Sequence, residues 1–387
     1  MDFSNTRVLS LVYMVSVDTL SVVLLRPDAQ SEFQEIASLG ALLEQIEKLH
    51  LELNDRPKLE RGRTPRLKEF ASDWGRKLLP NSVLDDPPDV LVIVPHAIIH
   101  DLPLHLVSLS DGRTFGSCCG VTYVSSMSLF RLCAQKNPVR RSGATQNVVR
   151  ERTVQSIVAD VYRGEDRMFR QLVNEVTAGL NTVATPVFEP DRGTRVQMKY
   201  MLHRRPAPNV LIVLAHGFID TENHRLSGLL FDREKLGPSW VGGRARMETI
   251  GGTTILFREE PIRDPPSDTT RPADLLTTTE LEIFEAFDGE LVLLLACSSG
   301  RGRVGEGDEP SSLAEAFLHI GAPSVVAPMW DAEFDSTCLW ARTFCEEWRN
   351  GITPKAVAAQ RAMAKVESEF QGAPAWFGCL SLRGDWL

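Results

Sequence analysis

Two stretches of this chain carry the residue types best suited to nucleophilic chemistry. They are Leu211-Ile212-Val213-Leu214-Ala215-His216-Gly217 and Leu291-Val292-Leu293-Leu294-Leu295-Ala296-Cys297-Ser298-Ser299-Gly300. Each is an unbroken aliphatic run that ends on one reactive side chain with small residues beside it. A thiol is a weak nucleophile until it becomes thiolate, and a neighbouring imidazole is the usual base. His216 would take the proton of Cys297 and return it to a leaving amine. Gly217, without a Cβ, lets a substrate carbonyl approach, and its N–H and that of Cys297 are the natural oxyanion donors. Taken singly, a thiol at a strand end is a small hydrophobe and a histidine there is a satisfied polar group. The pair is more telling: both end apolar runs, and a helical segment lies between them. That is the order of neighbouring strands in a parallel sheet, whose active sites form at the carboxyl ends. A hydrolase elbow with a thiol would want Gly two residues either side of the nucleophile, and Leu295 and Ser299 both fail that.

The elements that must position these residues follow from periodicity. Val8 to Val17 reads as a strand, with Leu20 to Leu25 as its hairpin partner. Ser31 to Asn54 has helical apolar spacing from Phe33 through Leu49, and Leu59 to Leu79 is a second helical candidate. Val90 to Val94 is a buried strand. Lys136 to Arg152, charged and without periodicity, is the linker candidate. Then strands are expected at 153–159, 182–187 and 324–327, and helices at 169–180, 196–202, 275–287, 312–320, 334–349 and 354–370. Strands alternating with helices predict a parallel sheet covered on both faces. One internal echo stands out: Asp89 to His96 and Asn209 to His216 share a polar residue, five aliphatics, one small or Pro residue and a His. His96 has no matching nucleophile in this reading.

Composition narrows the function classes. The chain has 387 residues, 43% hydrophobic and 24% charged, with net charge −9. An acidic chain without a basic stripe is not expected to bind nucleic acid directly. No apolar window reaches about 18 residues, so no membrane span is expected, and a cytoplasmic location is the reading. Seven cysteines at irregular spacing fit a reducing compartment. Neither a metal nor a cofactor is expected; Pro95 and Pro103 prevent one helix from presenting His96, His100 and His105 together, and these histidines read as structural.

Several motifs together make the chain resemble the CHAT-domain proteins, a branch of the caspase- and separase-like cysteine peptidases. They are Val92 to Ala97 with His100 to His105; Leu214-Ala215-His216-Gly217; Leu294 to Gly300 with Gly305-Glu306-Gly307; Leu313 to Trp330; and Trp376-Phe377 with Gly378-Cys379-Leu380. The resemblance implies an α/β fold with a caspase-like, mostly parallel sheet and helices on both faces. It implies a protease half over 150–387, with His216 as base and Cys297 as nucleophile. A smaller, pseudo-caspase-like half over 1–145, catalytically silent, precedes it. Asp160, Trp330 and Asp331 close strands on the same sheet edge and are the candidates for substrate binding. Leu295 is apolar where some basic-specific relatives carry an acid, which weakens an Arg or Lys preference and leaves specificity open. The partners expected are a protein substrate, with pore-forming or regulatory proteins encoded nearby as candidates, and a separate activating protein, in a defence or cell-death pathway. The loops Pro261–Pro272 and Arg301–Pro310 are candidates for self-processing. The competing expectation is a catalytically silent scaffold that keeps the fold for binding.

Overall fold

A computed structural model describes residues 5–16, 18–27, 31–55, 58–59, 61–137, 152–158, 166–182, 184–186, 195–203, 205–218, 227–230, 245–250, 253–258, 275–283, 287–296, 299–300, 303–304, 310–350 and 352–387. At some strand and helix positions, His216–Phe218 among them, the backbone alone is described. The strands in chain order are β1 (Val8–Val15), β2 (Thr19–Leu25), β3 (Ser31–Ser38), β4 (Val90–Val94), β5 (Gly120–Tyr123), β6 (Val154–Val158), β7 (Ala184–Pro186), β8 (Val210–Leu214), β9 (His216–Phe218), β10 (Gly228–Leu230), β11 (Ala245–Ile250), β12 (Thr253–Arg258), β13 (Leu275–Thr277), β14 (Leu291–Leu294), β15 (Arg303–Val304), β16 (Pro310–Ser311), β17 (Ser324–Pro328) and β18 (Leu380–Gly384).

An 11-stranded sheet runs in the order β3-β2-β1-β4-β5-β18-β17-β14-β8-β6-β7. β1, β4, β5 and β18 run parallel to one another, and so do β17, β14, β8, β6 and β7. The β17–β18 pairing is antiparallel, so the sheet reverses direction at that seam. The carboxyl ends of β6, β8, β14 and β17 therefore share one edge, and those of β4 and β5 lie on the opposite edge. Strands buried on both faces read as continuous aliphatic runs, and β8 shows why. Val210, Ile212 and Leu214 join a core with Trp340, Phe344 and Trp348 of helix Phe334–Trp348. Leu211, Val213 and Ala215 join a second core with Met198, Leu281 and Phe317 on the other face.

Three segments depart from their expected elements; in one, 59–79, the α-helix is confined to Pro65–Ser72 and a 3-10 turn follows at Trp74–Leu78. Ser31–Ser38 is a strand, β3, and the helix begins only at Leu39 and ends at Leu53. β2 already presents an open edge, and pairing with it satisfies the Ser31–Ser38 backbone; that tertiary pairing overrides a helical apolar spacing in which Phe33 remains 63% exposed. Likewise Leu275–Thr277 is β13, and the helix covers only Thr278–Glu282. A capping box starts it: the Thr277 hydroxyl accepts from Glu280 N–H, and Glu280 reaches back to Thr277 N–H. The N-terminal hairpin and the two closing helices, Phe334–Trp348 and Lys355–Glu369, form where their periodicity puts them. Most of the expected linker lies outside the described residues. Among the described residues no helix is long and apolar enough to cross a membrane.

Candidate active site

β8 and β14 are direct neighbours, paired in parallel with Val210 against Leu291 and Val213 against Leu294. Leu295 N–H extends the ladder to Val213 O at 2.9 Å. Past the strand ends, Ala215 and Ala296 are both buried, and small residues there keep the crossing backbones close. Cys297 and Ser298 lie outside the described residues, as do Asp160, Gly305, Gly307 and Pro261–Pro272. The residues flanking the thiol are fixed. Ser299 N–H donates to Ala296 O at 3.1 Å, and Gly300 N–H donates to Pro328 O at 2.9 Å. Ser299 Oγ–H donates to Leu294 O at 3.3 Å.

The backbone of His216 enters a separate, three-stranded sheet, β13-β10-β9. His216 pairs with Leu230 and Gly217 with Leu229, and β10 pairs in turn with β13. This small sheet is anchored by fully buried Leu229 and Leu276. Thr278 N–H donates to Ser227 O at 2.8 Å, and Lys199 pairs with Glu280 at 3.2 Å. Gly228 is needed for the close approach of β10 to β13: a Cβ there would stand 2.3 Å from Leu276 O. Sequence reading missed this sheet because three-residue strands carry no periodicity.

Trp330 and Asp331 follow β17, on the same edge as the ends of β8 and β14. Asp331 is half-buried. Trp330, expected to touch substrate, has no exposed surface, and its Nε1–H donates to Ala375 O at 2.8 Å. Its indole packs the core, so Trp330 shapes that edge from behind.

Register also gives His96 a counterpart that sequence reading did not find. In β4 and β5, Val90 pairs with Gly120; in β8 and β14, Val210 pairs with Leu291. Six residues beyond those positions stand His96 and Ser126 in one half, His216 and Cys297 in the other. Ser126 is spent as a helix cap, accepting from Leu129 N–H at 3.1 Å. His96 Nδ1 accepts from Val15 N–H at 3.3 Å. A neutral imidazole that accepts there carries its proton on Nε2, where a base would need a lone pair. His105 is structural too: its Nε2–H donates to Gly378 O and its Nδ1 meets Tyr123 Oη, each at 2.8 Å. Burial pushes His105 down to about 4.

The described thiols contrast with what a nucleophile needs. Burial raises Cys119 and Cys345 well above the ordinary thiol range and brings Cys133 and Cys338 up to about 12. Cys118 is half-buried and Cys379 buried.

Residues 74–376 match the family model described as the CHAT domain. The chain belongs to the CHAT domain family. Two crystal structures of the Saccharomyces cerevisiae separase–securin complex are similar in fold to this CHAT domain, with TM-scores of 0.60 at 10% identity and 0.53 at 12%. Each likeness covers 98% of this chain and 30% of that chain, so the CHAT domain spans under a third of the separase chain. The Arg specific cysteine proteinase gingipain R is similar over 83% of this chain and 67% of its own, at 9% identity and a TM-score of 0.46. No curated protein matches. The fold shared with separase is a mixed α/β one built on a large, mostly parallel sheet with helices.

Proposed function

We propose that this CHAT domain is a cysteine endopeptidase with a His216–Cys297 dyad that cuts a specific protein partner. The observation that carries the reading is the parallel pairing of β8 and β14, whose carboxyl ends share one sheet edge and are followed in sequence by His216 and Cys297. His216 takes the Cys297 proton, and the thiolate attacks the scissile carbonyl carbon. The N–H groups of Gly217 and Cys297 receive the oxyanion. The C–N bond breaks as His216 returns the proton to the amine. Water, deprotonated by His216, then cleaves the thioester, releasing the carboxylic acid and restoring the thiol.

Residues 150–387 are the active half in this reading and 1–145 a silent copy. Support for the copy comes from the shared register, the reversal of direction at β17–β18, and the engagement of His96 and Ser126 in structural hydrogen bonds. Asp160 and Asp331 are proposed to contact substrate at the active edge. The reading extends to a cytoplasmic role in regulated defence or cell death, with a second protein as activator. Separase, a protein of this fold, is itself seen in complex with another protein, securin.

The test is to incubate the purified chain with proteins encoded nearby and to read products by mass spectrometry. One partner is expected to be cut at a fixed bond by the wild type and left whole by Cys297→Ala. A set in which every partner stays intact, or is cut equally by Cys297→Ala, overturns the reading.

A further inference from the structure

Both reactive positions belong to residues 150–387, yet the N-terminal half touches the element behind the nucleophile. Helix Leu313–His319 connects the β14 edge back to β17. Its first turn is bonded to the turn that follows Cys297: Ala314 N–H donates to Ser299 O at 3.1 Å. Ser299 and Gly300 in turn bond Ala296, Leu294 and Pro328. Whatever sets the height of this helix therefore sets the Ser299-Gly300 turn.

Glu315, in that first turn, is 1% exposed. Its N–H donates to the Ser312 cap at 3.1 Å, and its Oε2 accepts from Ser125 Oγ–H at 3.0 Å. Ser125 lies two residues past β5 of the N-terminal half and precedes Ser126, which follows its strand at the spacing of Cys297. The carboxylate also faces His319 on its own helix and Arg383 of β18, buried, with Nη1 3.7 Å from Oε1. At that distance the guanidinium supplies charge without a directed bond, and its Nε and Nη2 make no hydrogen bond among the described residues. Ser125 is thus the directional contact that fixes the Glu315 side chain from across the sheet seam.

We infer that Glu315 is a positioning residue through which Ser125 of the N-terminal half holds the Ser299-Gly300 turn that follows the proposed nucleophile in sequence, and so tunes that nucleophile's reactivity. The inference rests on the reading of Cys297 as nucleophile. The silent half thereby acquires a role, because the turn that lacks a thiol steadies the one that has it.

The test follows alkylation of Cys297 by iodoacetamide, with Cys118 as internal reference, and amide hydrogen exchange at Ala314 in the same proteins. Ser125→Ala is expected to slow Cys297 about tenfold, the scale of losing one hydrogen bond to a charged group. Glu315→Gln can still accept from Ser125 but no longer faces Arg383 with a charge, and is expected to slow Cys297 about threefold. Ser125→Thr, which keeps the hydroxyl, restores the wild-type rate, and Ala314 exchange quickens in the same order. A general loss of stability would not be rescued by the hydroxyl alone. Wild-type Cys297 rates and wild-type Ala314 exchange in Ser125→Ala overturn the inference, whether or not Glu315→Gln folds. If His216→Ala leaves Cys297 labelling unchanged, the dyad reading fails separately, and Ala314 exchange still decides the positioning claim.

Discussion

At the scale of single residues, burial decides which side chains can do chemistry and which only hold the fold. His105 is an example of the second kind, held neutral by burial, which outweighs the hydrogen bond to Gly378 O that favours the protonated ring. Its folded-state value, about 4, lies below the unfolded value of roughly 6.5. A depressed pKa contributes stability that is fully present above the unfolded value and is lost as pH falls toward the folded one. The loss amounts to roughly 3 kcal/mol across that window. Glu315 works in the opposite direction, because burial raises its carboxyl against the pull of Arg383, His319 and Ser125. Urea unfolding at pH 7.5 and 5 separates the two. The wild-type midpoint is expected to fall on acidification and that of His105→Gln to fall less; equal pH dependence in both proteins would contradict the assignment.

At the scale of elements, the small sheet β13-β10-β9 would, in the proposed mechanism, do for His216 what helix Leu313–His319 is inferred to do for Cys297. Gly228→Ala forces a Cβ against Leu276 O and should cost about 1–3 kcal/mol through backbone displacement. Because β10 is also the partner of His216, the same change is expected to slow Cys297 alkylation toward the His216→Ala level. Gly40→Ala is the control, since a Cβ there meets nothing within 4 Å; equal effects from the two would leave β10 without a part in positioning the base. The buried strands were legible in sequence, since burial on both faces writes itself as continuous aliphatic residues. β3 and β13 were not legible, because pairing across the sheet, and no local period, makes Ser31–Ser38 and Leu275–Thr277 extended. Within the site, the placement of β8 beside β14 followed from the two motifs. The burial of Trp330 did not, because only the fold brings Ala375 to its indole.

At the scale of the whole molecule, one sheet carries two sets of strands that run in opposite directions and meet at β17–β18. The echo between Asp89–His96 and Asn209–His216 thereby acquires a geometry: the two histidines lie on opposite edges, and in sequence Ser126 and Cys297 follow the neighbouring strands at the same spacing. In the proposed mechanism only the second pair does chemistry. The most direct measurement is the rate at which iodoacetamide alkylates Cys297 at neutral pH in wild type, His216→Ala and His96→Ala. An imidazole-activated thiol should react about a hundredfold faster than the half-buried Cys118. His216→Ala should abolish that advantage, and His96→Ala should leave it intact. Equal rates for Cys297 and Cys118, or a Cys297 rate indifferent to His216, would contradict the central claim.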